Sequence, residues 1–542
     1  MGVWRNTTLP ESVAHRLDRL RVRDPWKLAS VCFVLSLALV LRLWGSYFDL
    51  PYIHHPDEPM TINVVVRMLQ NGDLNPRFFH WGTAYFYLIA AAYLPYCLIG
   101  AIPGRMQGVS DLAVAEQYVL GVADISLPAE VWVARLVSVA LGVGTVYLIY
   151  LMGRVLWDHE AGVLGALLLA TSPAHAIQSH FAVPDVAMVF FLCLSILYAA
   201  HWVSAGGRSD FVWAGFWGGV AAATKYNAVA LVFLSLGAAQ LLRHGRRAWK
   251  SPDIVWAGIA AVVGFVLGAP ATIVATREFG EGLAFTMRHY ASGHAGMEGT
   301  PLLWYLRFLA SQGLLAPLAI VGIVWGGSRR DRTTILLGIV TLVYFGLIST
   351  YTVRNERTIL PLLPLMAALG GVALAMARAK LSQARHLAQP VQRLLILAVL
   401  AVTLGPPLAE TVAAGWRLAR QDTQTMAREW IVAHIPPGAR VAGEAYTAVL
   451  HSGEYETVYV DSAIDHPRTW YCEQGVEYLM MSEVAHGRFF ADPARYPTQV
   501  RDYERLKAEL ELVHEARGPF LAYPELSVYI YRVPCDDSIG GE

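Results

Sequence analysis

Apolar residues in this 542-residue chain arrive in long blocks separated by short charged segments. The blocks fall near 28–46, 80–102, 131–152, 160–178, 186–203, 211–225, 227–243, 253–275, 303–326, 333–351, 358–378 and 393–413. Crossing a bilayer takes about 20 predominantly apolar residues, so the pattern predicts a polytopic α-helical membrane protein. Beyond 413 the apolar runs shorten and charges become frequent. TQTMAREWIVAHI (423–435) spaces Met426, Trp430, Ile431 and His434 for one helical face. ARVAGE, VEYLMMSE and LSVYIYRV read as strands and YERLKAELELV as a helix. The expected organisation is a basic tail over 1–27, a transmembrane domain over 28–413 and a small α/β domain over 414–542.

Composition agrees with that pattern. Hydrophobic residues make up 55% of the chain and charged residues 15%, against about 25% charged in a soluble domain. Formal net charge is zero, so nothing points to nucleic acid. The placement of the charges is more informative. The N-terminal tail and the loops RHGRRAWK (243–250), SRRDR (328–332) and ARAKLSQAR (377–385) are basic, which marks them as cytoplasmic. Those assignments agree only if one of the first two blocks fails to cross. Block 80–102 carries several aromatics and a central Pro95, which suits an interfacial or re-entrant helix. About 11 crossings follow. The loop 47–130 and everything after 413 then lie outside the cytoplasm, in a plasma (inner) membrane protein.

That topology gathers charged residues from separate loops at one face. YIHHPDEP (52–59) brings His55, Asp57 and Glu58, FAVPDVAM brings Asp185, and ATKYNAV brings Lys225. The loop 277–302 holds His289, and YTVRNERTILPLLP holds Arg354 and Arg357. Charges at membrane depth cost about 2.5–3.5 kcal/mol each on insertion scales, so a converging set marks a site. Singly, each has a plainer reading: a solvated loop start for Asp57 and Glu58, a helix N-terminal charge for Asp185, snorkelling cations for Lys225, Arg354 and Arg357. His54, His55, His80, His175 and His180 raise a metal question, but no metal-ligand motif is present. No metal ligands and no cofactor are assigned, and a divalent ion stays open.

The ordered stretches HPDE, ARLVSVALGVGTVYLIYLMGRVLW (134–157), SPAHAIQSHFAVPDVAMVFF (172–191), KYNA, RHYASGHAG and RNERTILPLLP carry a resemblance. The chain resembles the GT-C class of membrane glycosyltransferases, in the branch of protein O-mannosyltransferases and lipid A aminoarabinose transferases. It departs from the former because residues 277–302 are too short for their large outer sugar-fold domain. The resemblance implies a polyprenyl-phosphate-linked sugar as donor, a lipid, glycan or protein hydroxyl as acceptor, and inversion in one displacement. It also implies Asp57 as general base, Glu58 orienting acceptor or sugar, and Asp185 as a second carboxylate facing the pocket. Lys225, Arg354 and Arg357 become phosphate contacts, with His55 and His289 as further substrate-binding residues.

The C-terminal region resembles the accessory domain of bacterial members, with an acceptor-handling or lid role. A disulfide between its Cys472 and Cys535 is chemically allowed outside the cytoplasm, and the sequence leaves its formation open. Two other classes remain: a transporter or flippase of lipid-linked sugars, and a non-catalytic sugar-binding membrane protein. Against the transporter, the charges cluster at the outer ends of the spans and the two halves show no repeat. The sugar, the acceptor and the polyprenyl length are not encoded in any motif.

Overall fold

The computed structural model describes residues 24–114, 129–384, 387–451, 453–518 and 527–535. Every apolar block forms helix. Among the described residues, seven helices are long and apolar enough to cross a membrane, eight if a bent pair counts as one span. The other blocks give shorter helices, among them His159–Ala170, Asp253–Gly268 and Arg332–Ile348. The basic tail, 1–27, lies almost wholly outside the described residues.

Small residues set the closest helix packing. A Cβ at Gly215 or Gly219 would collide with the carbonyls of Ala257 and Ala261, and one at Gly264 with that of Phe216. The helices Arg208–Thr224 and Asp253–Gly268 therefore touch backbone to backbone, in the way small residues four apart allow. Gly82 packs equally tightly on the Ala223 carbonyl, which draws the first loop against the end of that pair.

Fewer full-length spans form than the sequence predicts: block 160–178 breaks into His159–Ala170 and Pro173–Gln178, and block 303–326 bends sharply. Residues 303–326 read as a single crossing, but they form Pro301–Ser311 and Leu315–Arg329, which meet at 99°. Two residues at the corner account for this. Gly313 adopts φ +69, a left-handed conformation that ends the first helix. The side-chain carbonyl of Gln312 accepts from the Ser172 hydroxyl at 3.1 Å and the Ala174 N–H at 3.3 Å, fixing the turn to the bundle.

The C-terminal region forms a five-stranded sheet: β1 Arg440–Glu444, β2 Glu456–Val460, β3 Tyr478–Ser482, β4 Glu511–Ala516 and β5 Val528–Arg532, in the order β2-β1-β3-β5-β4. β1 pairs in parallel with β2 and β3, whereas β5 runs antiparallel to β3 and β4. The helix Thr423–His434 buries Ala427 and Ile431 against the sheet, with Met426 and Trp430 partly buried beside them and His434 exposed. The stretch YERLKAELELV is not all helix: the helix Pro497–Ala508 stops and β4 starts at Glu511. Leu512 follows a turn and pairs with Tyr531 of β5, with Val513 at a bulge in the register, a long-range contact that local helical periodicity does not report. Cys472 and Cys535 are joined in a disulfide with a Cα–Cα distance of 5.4 Å.

Candidate active site

The acidic pair sits where the first loop enters the helix Glu58–Asn71. Pro59 lies in the first turn and Gly72, at φ 62, ends the helix. Asp57 occupies the N-cap position but its side chain makes no capping bond. Its carbonyl accepts from the Thr61 N–H at 3.2 Å, so the backbone starts the helix and the carboxylate stays available.

The two neighbours have opposite fates. Glu58 is fully buried and takes Arg135 in a fork, Nε to Oε1 at 2.9 Å and Nη2 to Oε2 at 2.7 Å. The Ala182 N–H adds a third bond to Oε1 at 2.8 Å. Arg135 spends its remaining Nη1 on the carbonyls of Ser46 and Phe48, at 3.2 and 2.8 Å, and lies 3.6 Å over the Phe48 ring. Burial works against the Glu58 charge, but Arg135 and the Ala182 N–H outweigh it and hold the carboxyl below its ordinary pKa. With both oxygens engaged and no exposure, Glu58 fixes the loop onto the helix Ala129–Leu156 and the segment before Pro184.

Asp57 faces the other way. Its Oδ2 accepts from Arg357 Nη1, and each side chain keeps roughly a third of its surface open, 33% and 29%. Arg357 Nη2 meets His55 Nε2 at 3.1 Å. A guanidinium can only donate, so Nε2 accepts, and the Asp57 backbone N–H is directed at Nδ1 at 3.3 Å. Burial, opposed by Glu58 and assisted by Arg357, keeps the imidazole below its ordinary pKa and neutral. Burial likewise raises Asp57, but Arg357, then His55 and Lys225, more than reverse that and leave its carboxyl below the usual range.

Asp185 stands in the first turn of Pro184–Ser204, after an extended Val183. Its Oδ1 accepts from Lys225 Nζ at 2.6 Å, while its buried Oδ2 has no partner. Burial disfavours the charged Arg357, but Asp185 and Asp57 together raise the guanidinium pKa, with Tyr290 contributing. The structure therefore brings together His55, Asp57, Asp185, Lys225 and Arg357 from four segments.

Two expected members lie apart. Arg354 donates its backbone N–H to Met297 at 2.9 Å and holds its guanidinium 5.9 Å from the Trp304 ring, against Gly299. His289, on the helix Thr276–Ser292, neighbours Phe285 and His294 at 6.0 and 5.6 Å. Of the histidines that raised a metal question, all but His54 are otherwise engaged. His175 Nδ1 meets Arg42 at 2.9 Å, His180 Nε2 the Trp44 carbonyl at 2.9 Å, and His80 stacks on Phe285. Among the described residues, the group whose ligand atoms lie close enough to share an ion is Asp49, His54 and Asp422. Arg135 and Tyr290 were not singled out from sequence. Arg135 carried a signal, a charge five residues into an apolar block, which near a bilayer needs a partner.

A groove of about 550 Å³ adjoins the acidic pair, lined by Pro56, Pro59, Asn63, Arg67, Asp73 and Arg77 among others. Across the site, the loop 293–299 meets the C-terminal region: Gly296 N–H donates to the Tyr496 hydroxyl at 3.2 Å, and Glu298 bonds the same hydroxyl.

Residues 124–273 match the family described as dolichyl-phosphate-mannose-protein mannosyltransferase. No curated protein matches the sequence. Solved structures do. ArnT from Cupriavidus metallidurans superposes with a TM-score of 0.55 at 15% identity, over 93% of this chain and 98% of that one. The same protein bound to undecaprenyl phosphate gives 0.54 at 16%, over 94% and 99%. The oligosaccharyltransferase AglB from Archaeoglobus fulgidus, in complex with an inhibitory peptide and a dolichol-phosphate, gives 0.53 at 13%, over 88% and 72%. The chain has the GT-C fold of these membrane proteins.

Proposed function

We propose that the protein is a membrane glycosyltransferase that moves a sugar from a polyprenyl monophosphate to an acceptor hydroxyl outside the cytoplasm, with inversion. The observation that carries this reading is the meeting of Asp57, Arg357, His55, Asp185 and Lys225 at one end of a GT-C bundle. The likeness to ArnT with undecaprenyl phosphate and AglB with a dolichol-phosphate supports the donor class.

The chemistry follows from the pairings. The acceptor oxygen attacks the anomeric carbon, the sugar–phosphate bond breaks, and polyprenyl phosphate leaves with the electron pair. Arg357 and Lys225 neutralise that phosphate, a task for fixed cations rather than a proton donor. Asp57 takes the acceptor proton. In the free protein Arg357 is engaged by Asp57. A donor phosphate competes for the same guanidinium, so donor binding frees the carboxylate when an acceptor can use it. Glu58 acts through Arg135, holding Asp57 in place. His289 from the segment 277–302, and Arg354 packed against that segment, serve the donor from the flank.

An outer location is supported by how the helix Ala84–Ala101 packs. By length and composition it is long enough to cross. Tyr85 bonds Ser138 at 2.7 Å and Tyr93 bonds the Glu130 carbonyl at 2.9 Å, so it runs antiparallel to Ala129–Leu156 toward that helix's start. From Tyr93 to Ala101 it extends about 12 Å further, beyond the end of its neighbour. Its own start lies by Ala223 and Gly268, beside Lys225. Both ends therefore fit the face that holds the site, and the C-terminal region 414–542 docks on that face.

The test is turnover: release of polyprenyl phosphate from a labelled lipid-linked sugar by the purified protein. A transporter or a binding protein releases none. Cysteines placed at Gln107 and Asp461 should both react with an impermeant reagent from outside, and protection at Gln107 would turn Ala84–Ala101 into a span.

A further inference from the structure

We propose a divalent-metal site of the zinc class formed by Asp49, His54 and Asp422, joining the first loop to the start of the C-terminal region. It is separate from the reacting cluster and independent of the transfer reaction. His54 and His55 are sequence neighbours that point to different places: His55 to Arg357, His54 to two carboxylates.

The geometry carries the inference. His54 Nδ1 lies 3.5 Å from Asp49 Oδ2 and 3.4 Å from Asp422 Oδ1. A tetrahedral ion with bonds of about 2.1 Å holds its ligand atoms about 3.4 Å apart. Two of the three edges already have that length, and all three ligand atoms lie within 4.8 Å of one another. The His54 side chain is 10% exposed, yet its buried Nδ1 makes no directed hydrogen bond. A buried ring nitrogen within 3.5 Å of two carboxylates from different segments is a three-ligand arrangement that a single divalent cation can join. One imidazole nitrogen with two carboxylate oxygens suits zinc better than magnesium or calcium, which take oxygen sets.

The ligands are also supported from behind. His54 stacks on Tyr52 at 6.3 Å, and Arg428 lies 4.7 Å over the same ring. Asp422 Oδ1 accepts from the Gln424 N–H at 2.7 Å as the cap of Thr423–His434. A carboxylate oxygen has a second lone pair, so capping and coordination coexist. Asp422 is 33% exposed, which leaves an entry path and room for water as the fourth ligand. The ion would pin the C-terminal region three residues from Asp57.

The experiment uses the full chain in detergent, stripped with EDTA, then titrated with Zn²⁺ against a chromophoric chelator and separately with Co²⁺. One equivalent should bind, with the visible absorption of tetrahedral cobalt. His54→Gln and Asp422→Asn should each weaken binding at least tenfold, whereas Asp57→Asn and Asp185→Asn should leave it unchanged. Asn also caps helices, so Asp422→Asn should melt like the EDTA-treated wild type while losing the upward shift that zinc gives. The proposal is overturned if the wild type takes up no zinc at micromolar concentration, or if His54→Gln and Asp422→Asn bind as well as it does. Loss of the ion in Asp57→Asn or Asp185→Asn alone would place it at the reacting carboxylates instead, and would equally overturn it.

Discussion

Two ion pairs stand a few residues apart and are built for different ends. Glu58 and Arg135 are sealed, with both carboxylate oxygens engaged and no exposure. Asp57 and Arg357 are open by about a third, and Asp185 beside them keeps one oxygen unpartnered. A saturated pair has no capacity left for a ligand, so its energy goes into holding the loop. A pair with spare atoms can exchange partners. The difference separates architecture from chemistry within two consecutive residues.

The sharpest way to break that comparison is to remove the carboxylate proposed as the base. Asp57→Asn keeps shape but takes away the proton acceptor, and kcat should fall about 10²–10⁴-fold with melting temperature little changed. Next comes the sealed pair. Arg135→Ala strands a buried carboxylate and should cost about 3–5 kcal/mol of stability, read in thermal or denaturant melts. Equal loss of stability in Asp57→Asn and Arg135→Ala would erase the distinction.

A smaller effect concerns fork geometry. Arg357→Lys retains the charge but not the paired donors, and should raise the donor KM about tenfold, or ~1.4 kcal/mol. The smallest is a shift in pH dependence. Because Arg357 holds Asp57 below its ordinary range, Asp57 stays ionised until pH falls through that lowered value. The acid limb of kcat/KM should therefore lie below the usual carboxylate range. In Arg357→Gln burial is no longer outweighed, the carboxyl pKa rises, and the limb should move to higher pH. An unmoved limb would show that Asp57 does not set it.

Much of this was legible in the chain. The apolar blocks gave the helices because a span must satisfy its own backbone within a contiguous run. The charged residues that mark the site also announced themselves, since a carboxylate or cation among apolar neighbours is conspicuous. What escaped was the partnering. Nothing local says that Glu58 reaches Arg135, 77 residues away, or that Arg357 meets Asp57 across 300. Arg354 and Arg357 looked equivalent on spacing, yet a helical turn beginning at Glu356 sends them to different neighbours. The corner at Gln312 was hidden for the same reason, because its hydrogen bonds run to Ser172 and Ala174.

The corner also bears on the thickness of the surrounding bilayer. Leu315–Arg329 has 15 residues and Asp253–Gly268 has 16, which span about 22–24 Å at 1.5 Å per residue. An ordinary hydrocarbon core is about 30 Å deep. Helices this short are matched by a thinned leaflet or by segments lying flat, and Pro301–Ser311, bent by 99° from its partner with Leu302, Leu303 and Leu306 exposed, has the composition for the latter. A thinned leaflet at this edge shortens the apolar distance between a lipid-borne phosphate and its protein cations. On the proposed function, the same sequence that fails to make a full-length span would set how deep in the membrane the polar end of the donor lipid must travel.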